Sequence, residues 1–324
     1  MLENTKKYSI GLWALRGTAD RFVPGGYESK ELEIKKAIEV AGDIVGIQGV
    51  DFVSDVFDEM DLGELENILA ENDLQPAGVN FHSWRRQWSL GSLTNPEVKK
   101  RKSAIKYGKE VLDKAEKLGC EEVTFWLGTD GFDYPFQIDY EQHWGLLLDG
   151  ITELARYKKE LDIGLEYKLK EPRKHQTIGT AIKALYATKK VNIENVGVVV
   201  DFGHALMSKE NAAESISLVA GEGKLTGVHF NDAYREWDDD LVPGSVNLWD
   251  SLEFLYYLDK VSYEGWISFD IFPFRMQNRR AVETCVKNTD KMIEILERID
   301  FNTIKQHQDN MDIAEIQKDL LAVL

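Results

Sequence analysis

Cysteine is scarce in this chain. Cys120 and Cys285 stand far apart, and neither belongs to a CxxC or Cys/His pattern. That argues against a disulfide framework or a thiolate zinc site and fits two buried thiols in a reducing compartment. Positive charge is also short: 39 Lys and Arg against 56 Asp and Glu leave a formal net charge of −17. A protein that grips a nucleic-acid backbone needs a basic face, so no nucleic-acid partner is expected. No apolar run approaches the roughly 18 residues of a membrane span. The start, MLENTKKYSIGLW, carries no small-residue cleavage pattern. The expectation is a soluble, cytoplasmic protein with no membrane partner. Phosphate-loop signals are missing too. No GxGxxG follows a strand, and GEGKL (221–225) lacks the hydroxyl residue and preceding strand of a GxxxxGK[ST] loop.

An apolar fraction of 43% and eight tryptophans supply a large core. Short β-rich runs recur at 8–14, 43–52, 76–83, 121–128, 162–168, 196–204, 225–232 and 266–272. Amphipathic stretches at helical spacing separate them, such as NPEVKKRKSAIKYGKEVLDKAEKLG. Eight strand–helix repeats with no Pro/Gly/Ser linker or composition break predict a (β/α)8 TIM barrel over 1–295, ahead of a doubly wound sheet or two domains. Residues 296–324 exceed what the barrel needs and read as a C-terminal helical extension. Its IQKDLLAVL segment suits packing on the barrel or, preferably, on a second subunit, which favours a homodimer or homotetramer.

Successive residues of a barrel strand point alternately inward and toward the helices. Leu165 and Tyr167 oppose Glu166 and Lys168. Val198, Val200 and Phe202 oppose Val199 and Asp201. Val228 and Phe230 oppose His229 and Asn231, and Ile267, Phe269 and Ile271 oppose Ser268 and Asp270. Apolar residues thus face the helices, while Glu166, Asp201, His229 and Asp270 point inward near the C-terminal strand ends, where barrel active sites lie. A lone Asp at a strand end is more often a helix cap. Several carboxylates in one interior, however, repel and pay a desolvation cost that a divalent cation removes. His204 lies just past the sixth strand, and the WDDDL loop rises over the same mouth. The i, i+2 spacing of Asp238 and Asp240 turns both to one side, with Asp239 away, so that with His204 they could form a second metal site; a solvated acidic loop is the alternative. Two divalent ions are expected. Carboxylates suit Mg²⁺ or Mn²⁺, and the imidazoles allow Mn²⁺, Co²⁺ or Zn²⁺, with Mn²⁺ preferred. The first, third and fourth strands add Ser9, Gly11 and Trp13, Asn80 and His82, and Thr124 and Trp126 in the inward phase. Trp13 and Trp126 would form flat walls, with Trp84 and Trp88 near the rim. Such a pocket suits a small polyol, whose C–H faces pack on indole while its hydroxyls reach the metals. Asn231 joins Trp13, Trp84 and Trp126 as an expected substrate contact.

ExK on the fifth strand, DFGHA on the sixth, HFND followed by DDDL on the seventh and FD on the eighth resemble the metal-dependent aldose–ketose isomerases of the xylose isomerase-like superfamily. The closer likeness is to L-rhamnose isomerase. GLW, FHSW and FWLGTDGFDYP extend it over nearly the whole barrel, although Trp84 stands two residues after His82 where the rhamnose enzymes place a tryptophan three after. The resemblance implies a structural metal on Glu166, Asp201, His229 and Asp270, and a catalytic one on His204, Asp238 and Asp240. It implies that Lys168 contacts a substrate oxygen and that His82 assists opening of the sugar ring, so Lys168, His82 and Asp240 form the expected catalytic set. The implied reaction moves hydrogen between C1 and C2 of a sugar. The rivals are a single-metal ketose 3-epimerase, a zinc-dependent abasic-site endonuclease, which six histidines and the acidic charge disfavour, and a non-catalytic sugar-binding barrel.

Overall fold

A computed structural model describes residues 6–17 and 31–324. Eight strands, Tyr8–Gly11, Ile47–Val53, Gln75–Asn80, Glu122–Trp126, Asp162–Glu166, Val196–Asp201, Leu225–His229 and Ile267–Phe269, run in sequence order around a closed barrel. Every neighbouring pair is parallel, and the eighth strand closes on the first through Ile10 beside Phe269. This is the TIM barrel that the eight-fold alternation predicts. Two short segments, Gly131–Phe132 and His175–Gln176, form a separate antiparallel pair above it.

Local chemistry sets the helix ends. Side chains of Asp139, Thr180 and Asn211 accept from the backbone N–H three residues on, satisfying donors that the first helical turn leaves open. The helix Val98–Leu118 ends on Gly119 at φ +91, a left-handed conformation that costs glycine nothing. The outward strand phase supplies the barrel–helix seam. Phe202 and Phe230 meet Phe254 of the helix Leu248–Lys260 with all three ring pairs between 5.3 and 5.5 Å, which locks the sixth and seventh strands under that helix.

Two expectations change here. The first strand ends at Gly11 rather than running to residue 14, and Trp13 lies on the one-turn helix Leu12–Arg16. The boundary expected at 295/296 falls inside the helix Asn278–Glu297. The tail forms two helices, Phe301–Asp309 and Ile313–Val323, and packs one face on its own barrel: Phe301 meets Tyr256 edge-on at 4.5 Å, and Ile304 is buried. None of the described helices is long and apolar enough to cross a membrane.

Candidate functional site

The inward phase of the last four strands meets at one point. One ligand atom each from Glu166, Asp201, His229 and Asp270 lies within 4.8 Å of all the others, and Asp201, His204 and Asp238 form a second such group that shares Asp201. His229 Nδ1 stands 3.2 Å from Glu166 Oε1, 3.9 Å from Asp201 Oδ2 and 3.8 Å from Asp270 Oδ2. His204 lies between two carboxylates, with Nδ1 3.1 Å from Glu166 Oε1 and Nε2 3.1 Å from Asp238 Oδ2. Asp201 also serves as a helix cap, its Oδ1 accepting from His204 N at 2.7 Å. The cap and the cluster are therefore the same residue.

The electrostatics are those of a site with too few positive charges. Burial alone would raise Glu166, but the His229 and His204 imidazoles hold it well below the carboxylate range. Lys168 and His204 do the same for Asp238 against its burial. Burial pushes Asp201 up to about 6 and Asp270 up to about 7. Asp240 is driven well above its usual value by burial and by Asp238 and Asp270. Burial would lower His229, yet Glu166 beside it raises it to about 10. A divalent cation would relieve the same crowding of buried carboxylates. Asp238 Oδ1, buried, has no hydrogen-bond partner among the described residues. Mixed carboxylate and imidazole donors, with such an oxygen left over, fit a hard or borderline divalent ion.

Above this floor opens a cavity of about 780 Å³, walled by Trp13, Trp84 and Trp126 and rimmed by Phe272 and Phe274. Trp84 and Trp126 lie 4.7 Å apart at 54°. Lys168 is buried in the wall, its ammonium 2.5 Å from Asp238 Oδ2, 2.9 Å from Glu171 Oε2 and 4.9 Å above the Trp126 ring. Trp88, expected near the rim, is fully buried and donates to Ser103.

The DDD loop departs from its expected arrangement. Asp238 joins His204, but Asp240 lies outside that group; it adopts φ +48, and its carboxylate is 3.4 Å from Asn231 Nδ2. Asp239 borders the cavity, with its carboxylate accepting from Tyr234 N. Periodicity does not extend into a loop, and here tertiary anchors decide. Asp232, fully buried, accepts from Ala233 N, Val246 N, Asn247 N and Asn247 Nδ2, and pairs with Leu241 across the loop. Asn231 is equally buried and forms no part of the cavity wall. Its Oδ1 accepts from Gly203 N and its Nδ2 donates to Asp201 Oδ2, so it orients a cluster carboxylate instead of meeting a ligand.

His82 also lies off the wall, behind Trp84 with ring centroids 4.5 Å apart. Its Nδ1 is 2.5 Å from Asp55 Oδ2, and Arg85 grips Asp55 and Asp58 while stacking on Tyr107. Asp55, Glu171 and Asp232 have no periodic signature in the sequence. Asp232 was visible only as the last letter of HFND.

The fold and this floor of strand-end carboxylates define a class. The description xylose isomerase-like TIM barrel matches residues 38–300, and the chain belongs to that family. Among curated relatives, it is 28% identical to a xylose isomerase of Ruegeria pomeroyi over 178 residues, 52% of this chain and 40% of that one. It is 27% identical to a probable sugar isomerase of Rhizobium meliloti over 187 residues, 57% of this chain and 42% of that one. The match thus spans about two-fifths of those relatives' length. Among solved structures, a D-psicose 3-epimerase from Clostridium cellulolyticum H10 superposes with a TM-score of 0.66 over 89% of this chain and 97% of the other, at 16% identity, which is a likeness of fold.

Proposed function

We propose that the protein is a divalent-metal-dependent sugar isomerase that interconverts an aldose and a ketose by shifting hydrogen between C1 and C2. The observation that carries this reading is the pair of carboxylate–imidazole groups sharing Asp201, with the buried Lys168 ammonium beside them, at the floor of a tryptophan-walled cavity. Glu166, Asp201, His229 and Asp270 would hold one ion, and His204 and Asp238 a second, with Asp240 adjacent. Mn²⁺ is the preferred occupant. Bound divalent ions supply Lewis acidity toward a carbonyl and its neighbouring hydroxyl.

The remaining work falls to this chain's own side chains. Trp13 and Trp126 present flat apolar faces to sugar C–H groups and exclude water from the floor. Lys168, fixed by Asp238 and Glu171, donates to the oxygen on which negative charge develops. Asp55 holds His82 at Nδ1, which leaves Nε2 as the nitrogen that would transfer the ring-opening proton. A ketose 3-epimerase, which works with a pair of glutamates, is the weaker reading. The cluster pairs Glu166 with an aspartate, Asp270, and the second group would be idle.

Incubating Mn²⁺-loaded protein with a panel of aldoses and 6-deoxyaldoses should yield the corresponding ketose from at least one. Epimerisation of ketoses at C3 with no aldose formed would transfer the assignment to the epimerases. No product from either panel, with two ions bound per chain, would leave a sugar-binding barrel.

A further inference from the structure

Trp13 is more than an apolar wall. Its indole Nε1–H donates to Asp270 Oδ1 at 2.8 Å. The other oxygen of that carboxylate, Oδ2, is the one turned toward the His229 imidazole. We propose that Trp13 is a positioning residue for the cation site: its indole N–H occupies one oxygen of Asp270 and so presents the other to a divalent ion. This inference rests on the metal reading of the Glu166, Asp201, His229 and Asp270 group.

The backbone makes the arrangement stiff. Ile10 on the first strand lies opposite Phe269, the last residue of the eighth, so the residues that follow are Gly11 and Asp270. The strand then stops, and Trp13 turns back in the one-turn helix. Its ring lies directly over Gly11, where a Cβ would come within 2.2 Å of ring atoms Cε2 and Cζ2. Only glycine leaves that space, and with the ring seated there Nε1 reaches across to the neighbouring strand end. The G-x-W spacing is therefore a device for aiming an N–H, not only for building a wall.

An outer-shell donor of this kind fixes the orientation of a ligating carboxylate, and its loss commonly weakens metal binding about 10–100-fold. The other wall residues provide an internal contrast. Trp84 lines the same cavity but packs on the rings of His82 and Trp126.

The test is calorimetric titration of chelator-stripped, full-length protein with Mn²⁺. Trp13→Phe should lower the affinity of one of the two sites about 10–100-fold, while Trp84→Phe leaves both unchanged. Should Trp13→Phe fail to fold, β-(3-benzothienyl)alanine placed at position 13 keeps the bicyclic shape, replaces N–H with sulfur and should give the same loss. Wild-type affinity in the benzothienyl protein overturns the inference and leaves the functional reading standing. A wild-type protein that binds no divalent ion removes both.

Discussion

Replacing Lys168 by methionine probes the site through stability as well as through turnover. The ammonium is buried, and it is the only lysine within 4 Å of Asp238 among the described residues, at 2.5 Å, with Glu171 at 2.9 Å. Methionine retains most of the side chain's length and its contact with Trp126 while removing the charge. Among the described residues, Asp238 then keeps only the His204 imidazole as a positive neighbour, at 3.1 Å. Removing one partner of a buried ion pair typically costs about 3–5 kcal/mol, because the other charge stays buried without compensation. At roughly 2 °C per kcal/mol for a domain of this size, the metal-free variant should melt about 6–10 °C below wild type. A divalent ion at His204 and Asp238 restores positive charge at the same carboxylate, so saturating Mn²⁺ should recover most of the loss. Turnover should not recover, since losing a donor aimed at developing oxyanion charge costs about 10²–10³ in rate. The assay is a pair of thermal melts, with and without Mn²⁺, beside aldose-to-ketose conversion by the loaded protein. A metal-free Lys168→Met that melts within about 1 °C of wild type, or a loaded variant that turns over at the wild-type rate, would refute the reasoning.

Three further outcomes are expected. Glu122, half-buried in the lower barrel, is pushed from its ordinary 4.5 up to about 7 by desolvation. The folded state then holds this proton more tightly than the unfolded chain, so stability from this group falls as pH rises from about 4.5 through 7. Glu122→Gln should match wild type near pH 4.5 and exceed it by a few kcal/mol above pH 7, read from urea midpoints at each pH; identical pH profiles would count against it. Asp232→Ala strands four donors, at about 1–3 kcal/mol for each that stays buried and unsatisfied, and should release residues 233–247 to rapid hydrogen exchange and weaken Mn²⁺ binding. Unchanged protection across that loop would show that other contacts hold it. Gly128→Ala places a Cβ 2.7 Å from Trp126 Cζ2, so the ring must move; KM should rise several-fold with metal affinity kept, and an unaltered near-ultraviolet spectrum with wild-type KM would contradict this.

Much of the molecule was legible before its structure. Strand alternation has a period of two and is imposed by the backbone alone, so the inward set Glu166, Lys168, Asp201, His229 and Asp270 could be read from residues as they stand. Glycine and capping residues likewise mark helix ends locally. Sharing an inward phase, however, does not say how deep a side chain sits. Asp51 is inward and buried and Glu122 inward and half-buried, yet both belong to the lower barrel, where Ser9 bonds Asp51.

The closed barrel and the set of side chains that face its axis follow from local sequence, because both rest on short-range periodicity repeated eight times. Tertiary structure alone decided which of those groups meet and what holds them. Asp238 rather than Asp240 approaches His204 because Asp232 fastens the loop from below. His82 turns to Asp55, and Trp13 aims its N–H at Asp270 because the first strand ends at Gly11 beside the eighth. These pairings join residues up to 257 positions apart, and no local rule of spacing reaches that far.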